Sequence, residues 1–402
     1  MRNLAALLLL TLPALAQSRA EISQAAYRER SAGHYLKAWN LLLEGVRKFP
    51  DLRSEVSQFA PFVGAYREAI LYNDPVQPNS HRPAADLTGL RQRDALDVIA
   101  EEAQKHQIVI LNEAHYSSQS RAFAQLVAER LKFPLLAAET FSGDIFAIHE
   151  YGYPNRRAGY YLIDPFFADF VRRSFQLGYR PINYEQEESP PNQSVDESIN
   201  SREEAQANHL MDRVLKRHPG QKLLIYVGYS HATESGRLEW MAARLARKSG
   251  LDPLTIDQTT LVEHSHPDNE YPAYKALRAN LEKPIILEDD QQKHPVYGPY
   301  EGQVDLQVAH PPSREVNGRP QWMRLNGYRQ DVPVKPEWLP QKGTALLQAY
   351  QEDETVNPIA LDRLLVQAGT PAAVLLLPPG RYRLTRQDSE GREEALERLD
   401  II

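Results

Sequence analysis

Cysteine is absent from the 402 residues. Its absence excludes disulfides, a thiol nucleophile and thiolate metal ligands, and removes the residue that would carry a lipid anchor behind a leader. Any metal would have to be held by His, Asp and Glu, which suits hard or borderline ions. Positive charge is also short: 46 Lys and Arg stand against 53 Asp and Glu, a net charge of −7. With no basic stripe interleaved with aromatics, nothing favours nucleic acid or an anionic membrane surface. There is no HExxH run, which excludes a thermolysin-like zinc helix, and no GxSxG, which leaves a serine nucleophile elbow without support.

Long apolar runs are confined to the start. "MRNLAALLLLTLPALAQ" carries Arg2, an apolar stretch from Leu4 to Leu12, and Ala14-Leu15-Ala16. That is the three-part pattern of a secretory leader, residues 1–16, too short to span a membrane. The expected location is the periplasm or the cell exterior. The remaining composition, 42% apolar and 25% charged, is that of a globular chain with a sizeable core.

Residues 17–75 are helical in pattern. Tyr35, Ala38, Trp39, Leu42, Leu43 and Val46 recur at three- and four-residue intervals, and Pro50 stops the run. The order Gly33, Tyr35, Ala38, Phe49-Pro50-Asp51 is half of a tetratricopeptide-like unit with no second copy, so a helical hairpin packed on the main body is expected. A Pro-, Asn- and Asp-rich linker, 76–89, follows. From 90 to 282 helix and strand patterns alternate: a helix from Asp94 to His106, strands at Gln107–Leu111, "FPLLAAET", "YRPINYEQ" and "KLLIYVGYSH", and helices between them. The alternation predicts an α/β core, a parallel sheet flanked by helices. The aromatic insert 141–178 reads either as a lid or as helices over the sheet edge. Residues 283–402 form a β-rich or α+β appendage, with a helix expected around Ile359 to Gln367 and a Pro-Pro-Gly turn between two antiparallel strands.

Each of the four strands runs into something ionisable. The first delivers Glu113 and His115, the second Glu139, the third Glu185, and the fourth His231 just after Gly228. A single glutamate in a loop is ordinarily solvated, and a single histidine after a strand is ordinarily structural. Four in register point to the crevice beyond the strand carboxyl ends, where open parallel sheets bind ligands. The next helix is read as opening at Ser201, with Glu204 as its capping partner. Arg202 would then sit in the first turn against the helix dipole, as though aimed at an anion. Glu203, Asn208 and His209 are supporting candidates on that helix; His209 also reads as a core histidine.

Two histidines with several carboxylates support two mechanisms. An imidazole oriented by a carboxylate can take a proton from water, which attacks an ester, lactone or amide while Arg202 stabilises the oxyanion. Alternatively, His115, His231 and a carboxylate are a ligand set for zinc, manganese or iron.

The ordered set Asn112-Glu113-Ala114-His115, Glu139, Arg202-Glu203 and Gly228-Tyr229-Ser230-His231 resembles the erythromycin-esterase-like superfamily, which includes haem-binding iron-regulated lipoproteins and TIKI-type metalloproteases. The resemblance spans roughly residues 90–250. In the esterase branch it implies His115 as general base, oriented by Glu113 and Glu139, with Arg202 and His231 completing the pocket. In the TIKI branch it implies a metal at His115 and His231. Asn112 stands where that pattern has glycine, and the turn would need Asn112 to accept a left-handed backbone. The leading expectation is an exported hydrolase acting on a small molecule or peptide. A haem or iron binder using Tyr116 or Tyr229, and a non-catalytic protein docking a partner through its N-terminal helices, are the alternatives.

Overall fold

The structure, a computed structural model, describes residues 18–76, 84–188, 190–370 and 372–402. The leader 1–16 and part of the linker 76–89 lie outside the described residues. Helix α1 (Arg19–Ala32) opens with a Ser18/Glu21 capping box and turns through left-handed Gly33 into α2 (Tyr35–Lys48). This expected hairpin is followed by two shorter helices, α3 (Arg53–Phe59) and α4 (Tyr66–Asn73). Their apolar faces gather Trp39, Phe59 and Phe62 into one cluster with Ala114, Tyr116 and Leu346. The N-terminal helices pack most of their apolar side chains against this chain, leaving Tyr27 and Leu71 exposed, and they brace the segment that follows the first buried strand.

The core is an eight-stranded sheet: β1 (Arg91–Asp94), β2 (Ile108–Glu113), β3 (Leu135–Ala138), β4 (Arg180–Ile182), β5 (Leu223–Gly228), β6 (Leu254–Leu261), β7 (Ile285–Glu288) and β8 (Leu306–Ala309). Their order is β1-β7-β8-β6-β2-β5-β3-β4. Pairings from β8 through β4 are parallel, whereas β7 pairs antiparallel with β8 and β1. The sheet is thus mixed, and it runs past residue 282, because two short apolar runs from the proline-rich region pair onto its edge.

Alternation along the strands explains the helices on both faces. Val109, Leu111, Leu136, Leu224 and Tyr226 pack against α5 (Ala95–Glu102), α6 (Ser118–Leu131) and α8 (Pro165–Gln176). Ile108, Ile110, Leu135, Leu223 and Ile225 face α9 (Val195–Leu210) and α10 (Met241–Ser249). A strand covered on both sides has no polar alternation, which is why all six residues of β2 and of β5 are buried. In the insert, the one-turn helix α7 (Ile148–Tyr151) precedes α8, whose Phe167, Phe170 and Val171 join the core. The insert is part of the layer, with one 3-10 turn, Tyr161–Ile163, at the site described below.

Several local expectations are corrected. The helix read from Asp94 to His106 spans Ala95–Glu102 with Asp94 as its cap. Helix α9 begins at Val195, because an earlier Ser-x-x-Glu, Ser194 with Glu197, makes the capping box. Ser201 lies inside it, Arg202 two turns along, and Glu204 pairs with Arg244 and Lys248. The helix expected around Ile359 to Gln367 is a strand, Asp362–Gln367. Asp362 bonds Arg319 and Arg363 bonds Gln348, so inward charges that a helical wheel would expose are buried in pairs. The Pro-Pro-Gly turn joins strands of different sheets: Val374–Leu377 pairs with Gln330–Pro333, while Gly380–Gln387 joins an antiparallel four-stranded sheet.

Candidate active site

Four contiguous strands, β2-β5-β3-β4, deliver their carboxyl ends to one place. Glu113 is the last residue of β2 and is buried. Its Oε1 lies 3.0 Å from His115 Nδ1, and Arg121 donates to both of its oxygens, at 2.8 and 3.0 Å. A carboxylate only accepts, so Nδ1 carries the proton and Nε2 is left with its lone pair in the neutral ring. Arg121 continues to Asp164 at 2.7 Å, where Ser118 also donates, and to the His115 carbonyl at 2.8 Å. Burial pushes the Glu113 carboxyl up, but Arg121 and His115 bring it below its usual range. The imidazole of His115 stacks on Tyr161 from the insert, centroids 4.4 Å apart and rings 14° from parallel.

The second half is built on β3, β5 and α9. His231, in the 3-10 turn after β5, places Nδ1 2.9 Å from the Glu203 carboxylate, which also accepts from the Met241 backbone at 2.7 Å. His231 Nε2 lies 3.6 Å from Glu139 Oε1 and 3.4 Å from Arg202 Nη1. Arg202 donates to Glu139 at 2.6 Å and to Glu185 at 3.1 Å, while the other Glu139 oxygen accepts from Gly228 N–H. Burial opposes ionisation of Glu139, yet His231, His115 and Arg202 bring it down to about 2. For His231 burial opposes the cation, but Glu139 and Glu203 outweigh it and hold the ring above its ordinary value. Glu185 is pushed up by burial, which Arg202 only partly offsets.

Gly228 is where the halves touch. A Cβ there would stand 2.6 Å from His115 Nε2 and 2.8 Å from Glu139 Oε2. Its φ of −83° is ordinary for any residue, so the requirement for glycine is steric. Gly228→Ala is therefore expected to displace the His115 ring, and any turnover at this site should fall about 100-fold or more. The overpacking should cost about 1–3 kcal/mol. Turnover and thermal unfolding of the variant check both figures.

The expected residues Glu113, His115, Glu139, Glu185, Arg202, Glu203 and His231 all converge. Asn208 does not: it is exposed on α9. His209 Nδ1 meets the backbone carbonyls of Tyr184 and Glu185 at 3.0 Å, a lash between α9 and the segment after β4. Gln206, one turn closer, reaches Glu185 instead, at 3.2 Å. Asn112 lies within β2 and adopts no left-handed backbone; that conformation falls on Tyr229, φ 42°. The Asn112 amide donates to the Tyr229 carbonyl and to Asp257 and accepts from Gln258 N–H, so it ties β6 to the turn that carries His231. Sequence reasoning missed Arg121, Asp164 and Tyr161. Arg121 was legible by the rule applied to Arg202, as a cation in the first turn of the helix after β2.

The residues do not fit a metal. Both Glu139 oxygens are taken, and a guanidinium stands beside His231 Nε2 where a cation would have to enter. Among the described residues no group of three or more His, Asp and Glu is placed to hold one. Nor do they fit haem at this cluster, since the space bounded by Glu113, His115, Glu139, Tyr161 and Tyr226 is too tight to enclose even a water-sized group.

No family model matches the chain, and no curated protein does. Among solved structures, the type III effector HopBA1 is similar over 47% of this chain and 96% of that one, at 12% identity and a TM-score of 0.33. A likeness at that level carries no argument about function. No helix among the described residues is long and apolar enough to cross a membrane.

Proposed function

We propose that the chain is an exported, metal-independent hydrolase of esters, lactones or amides, similar in its site to the erythromycin-esterase-like superfamily. One observation carries the reading: two imidazoles, each with Nδ1 bonded to a buried carboxylate, sit on either side of one carboxylate–guanidinium pair, Glu139 and Arg202. Structural histidines have little reason to be oriented in duplicate at adjacent strand ends.

In this mechanism water and substrate approach from the partly exposed edges of His115 and Arg202, and His115 Nε2 removes a proton from water as the oxygen bonds to the carbonyl carbon. Arg202 and the His231 imidazolium stabilise the charge that develops on the carbonyl oxygen. As the carbonyl re-forms, the bond to the leaving oxygen or nitrogen breaks, and His231 supplies its Nε2 proton to the departing atom. The carboxylic acid leaves, and the imidazoles exchange protons with solvent. Glu113 and Glu203 hold the rings; Glu139 holds Arg202 and keeps His231 protonated.

The test is a panel of activated esters, lactones and amides with chelator-treated protein across pH. Because His231 is held above its ordinary value, its protonated form survives to higher pH, and kcat/KM should fall on the alkaline side only above about 6.5. His231→Gln should lower the rate and abolish that limb. Turnover that needs added metal, or an unchanged limb in the variant, would sink the mechanism.

A further inference from the structure

The strand-end pattern has another member. After β6 comes Val262-Glu263-His264-Ser265, on the far side of β2 from β5. His264 Nδ1 lies 2.6 Å from Asp74 Oδ1, and the other Asp74 oxygen accepts from both the N–H and the hydroxyl of Ser265, each at 2.6 Å. Asp74 is buried at the C-terminal end of α4. With its acceptors engaged, the carboxylate holds the imidazole in one orientation with the proton on Nδ1. Nε2 is left as an acceptor that meets no partner among the described residues.

His264 lines a cavity of about 420 Å³. That lies within the range of small-molecule sites, roughly 300–1,000 Å³. Tyr66 and Ile70 of α4, Tyr116 from the segment after β2, Val262, Pro320 and Trp322 supply apolar and aromatic walls. The charges at its edge are Glu68, Glu263 and Glu315 against Arg67; Arg67 is bridged to Glu315 at 2.7 Å, and Arg278 stands 3.9 Å from Glu263, which leaves one carboxylate in excess. The edge is therefore net negative, so an anion is disfavoured. Aromatic faces with surrounding carboxylates suit a cation on a flat apolar body.

We propose that this cavity binds a small aromatic amine, its ring against Tyr66, Tyr116 and Trp322 and an amine N–H donated to His264 Nε2. The site is separate from the proposed catalytic one. The two share no lining residue. The inference does not depend on hydrolysis, and its test reads binding alone.

The experiment is calorimetric titration of the full chain with tryptamine and, as the anionic counterpart, indole-3-acetate. Tryptamine should bind saturably and indole-3-acetate should not. His264→Asn keeps an N–H for Asp74 but removes the Nε2 acceptor, and should weaken tryptamine about tenfold, the loss of one hydrogen bond. Leu71, half exposed and also lining the cavity, permits a blocking variant that spares the core. Leu71→Arg should abolish binding by bulk and charge. Absence of saturable tryptamine binding, equal affinity in both variants, or tighter binding of indole-3-acetate would overturn the proposal.

Discussion

His115→Gln is expected to reduce ester turnover by about 10²–10⁴-fold, the range for a general base, while the midpoint of unfolding moves by only a few degrees. The glutamine amide can still donate toward Glu113, which keeps Arg121 as its main partner. What is lost is the Nε2 lone pair and the stack on Tyr161. Stacked pairs contribute about 0.5–1.5 kcal/mol, too little to unfold the chain. Steady-state kinetics with thermal unfolding on one preparation separate the outcomes. Wild-type turnover would remove His115 from the mechanism, and a collapsed midpoint would make it a structural residue.

The largest stability effect is expected at Arg121, which is closed off from solvent. Its guanidinium is fully buried between Glu113 and Asp164, themselves buried. Arg121→Met keeps the stem but leaves two carboxylates without their cation, at a cost of about 3–5 kcal/mol. The pH dependence identifies the cause. In the wild type Glu113 is held below its ordinary value, so its contribution is present above that value and lost as pH falls. In the variant burial acts unopposed by Arg121 and raises Glu113 above its unfolded value. Protonation then relieves the variant at low pH, and the gap between the proteins should narrow from pH 7 to pH 4.5. Denaturant unfolding at both values measures it; a gap independent of pH would mean that lost packing, not unpaired charge, is responsible.

The strand-end residues were legible because their signal is local. A short apolar run followed by Glu-x-His or Gly-x-x-His marks a strand and its exit without reference to the rest of the chain. The start of α9 was misplaced because Ser194-Val-Asp-Glu197 and Ser201-Arg-Glu-Glu204 make the same capping pattern seven residues apart. Only packing of the whole helix chose between them. Arg202 consequently faces Glu139 and Glu185 from two turns into the helix, through side-chain geometry rather than through the helix dipole. The Asp362–Gln367 strand escaped because its buried charges are satisfied by Arg319, Gln348 and backbone carbonyls from distant segments.

By itself the sequence determined which residues lie at strand ends, because burial on both faces and the chemistry of the following turn are written in six to ten consecutive positions. It also determined that no thiol chemistry takes part. The tertiary structure alone decided that β5, fourth among the strands read from the sequence, inserts between the first two and brings His231 beside His115 and Glu139. It likewise decided that Arg121, Asp164 and Tyr161 hold that histidine. Strand order and ion-pair partners depend on contacts between segments tens to hundreds of residues apart, whose energies no local pattern records.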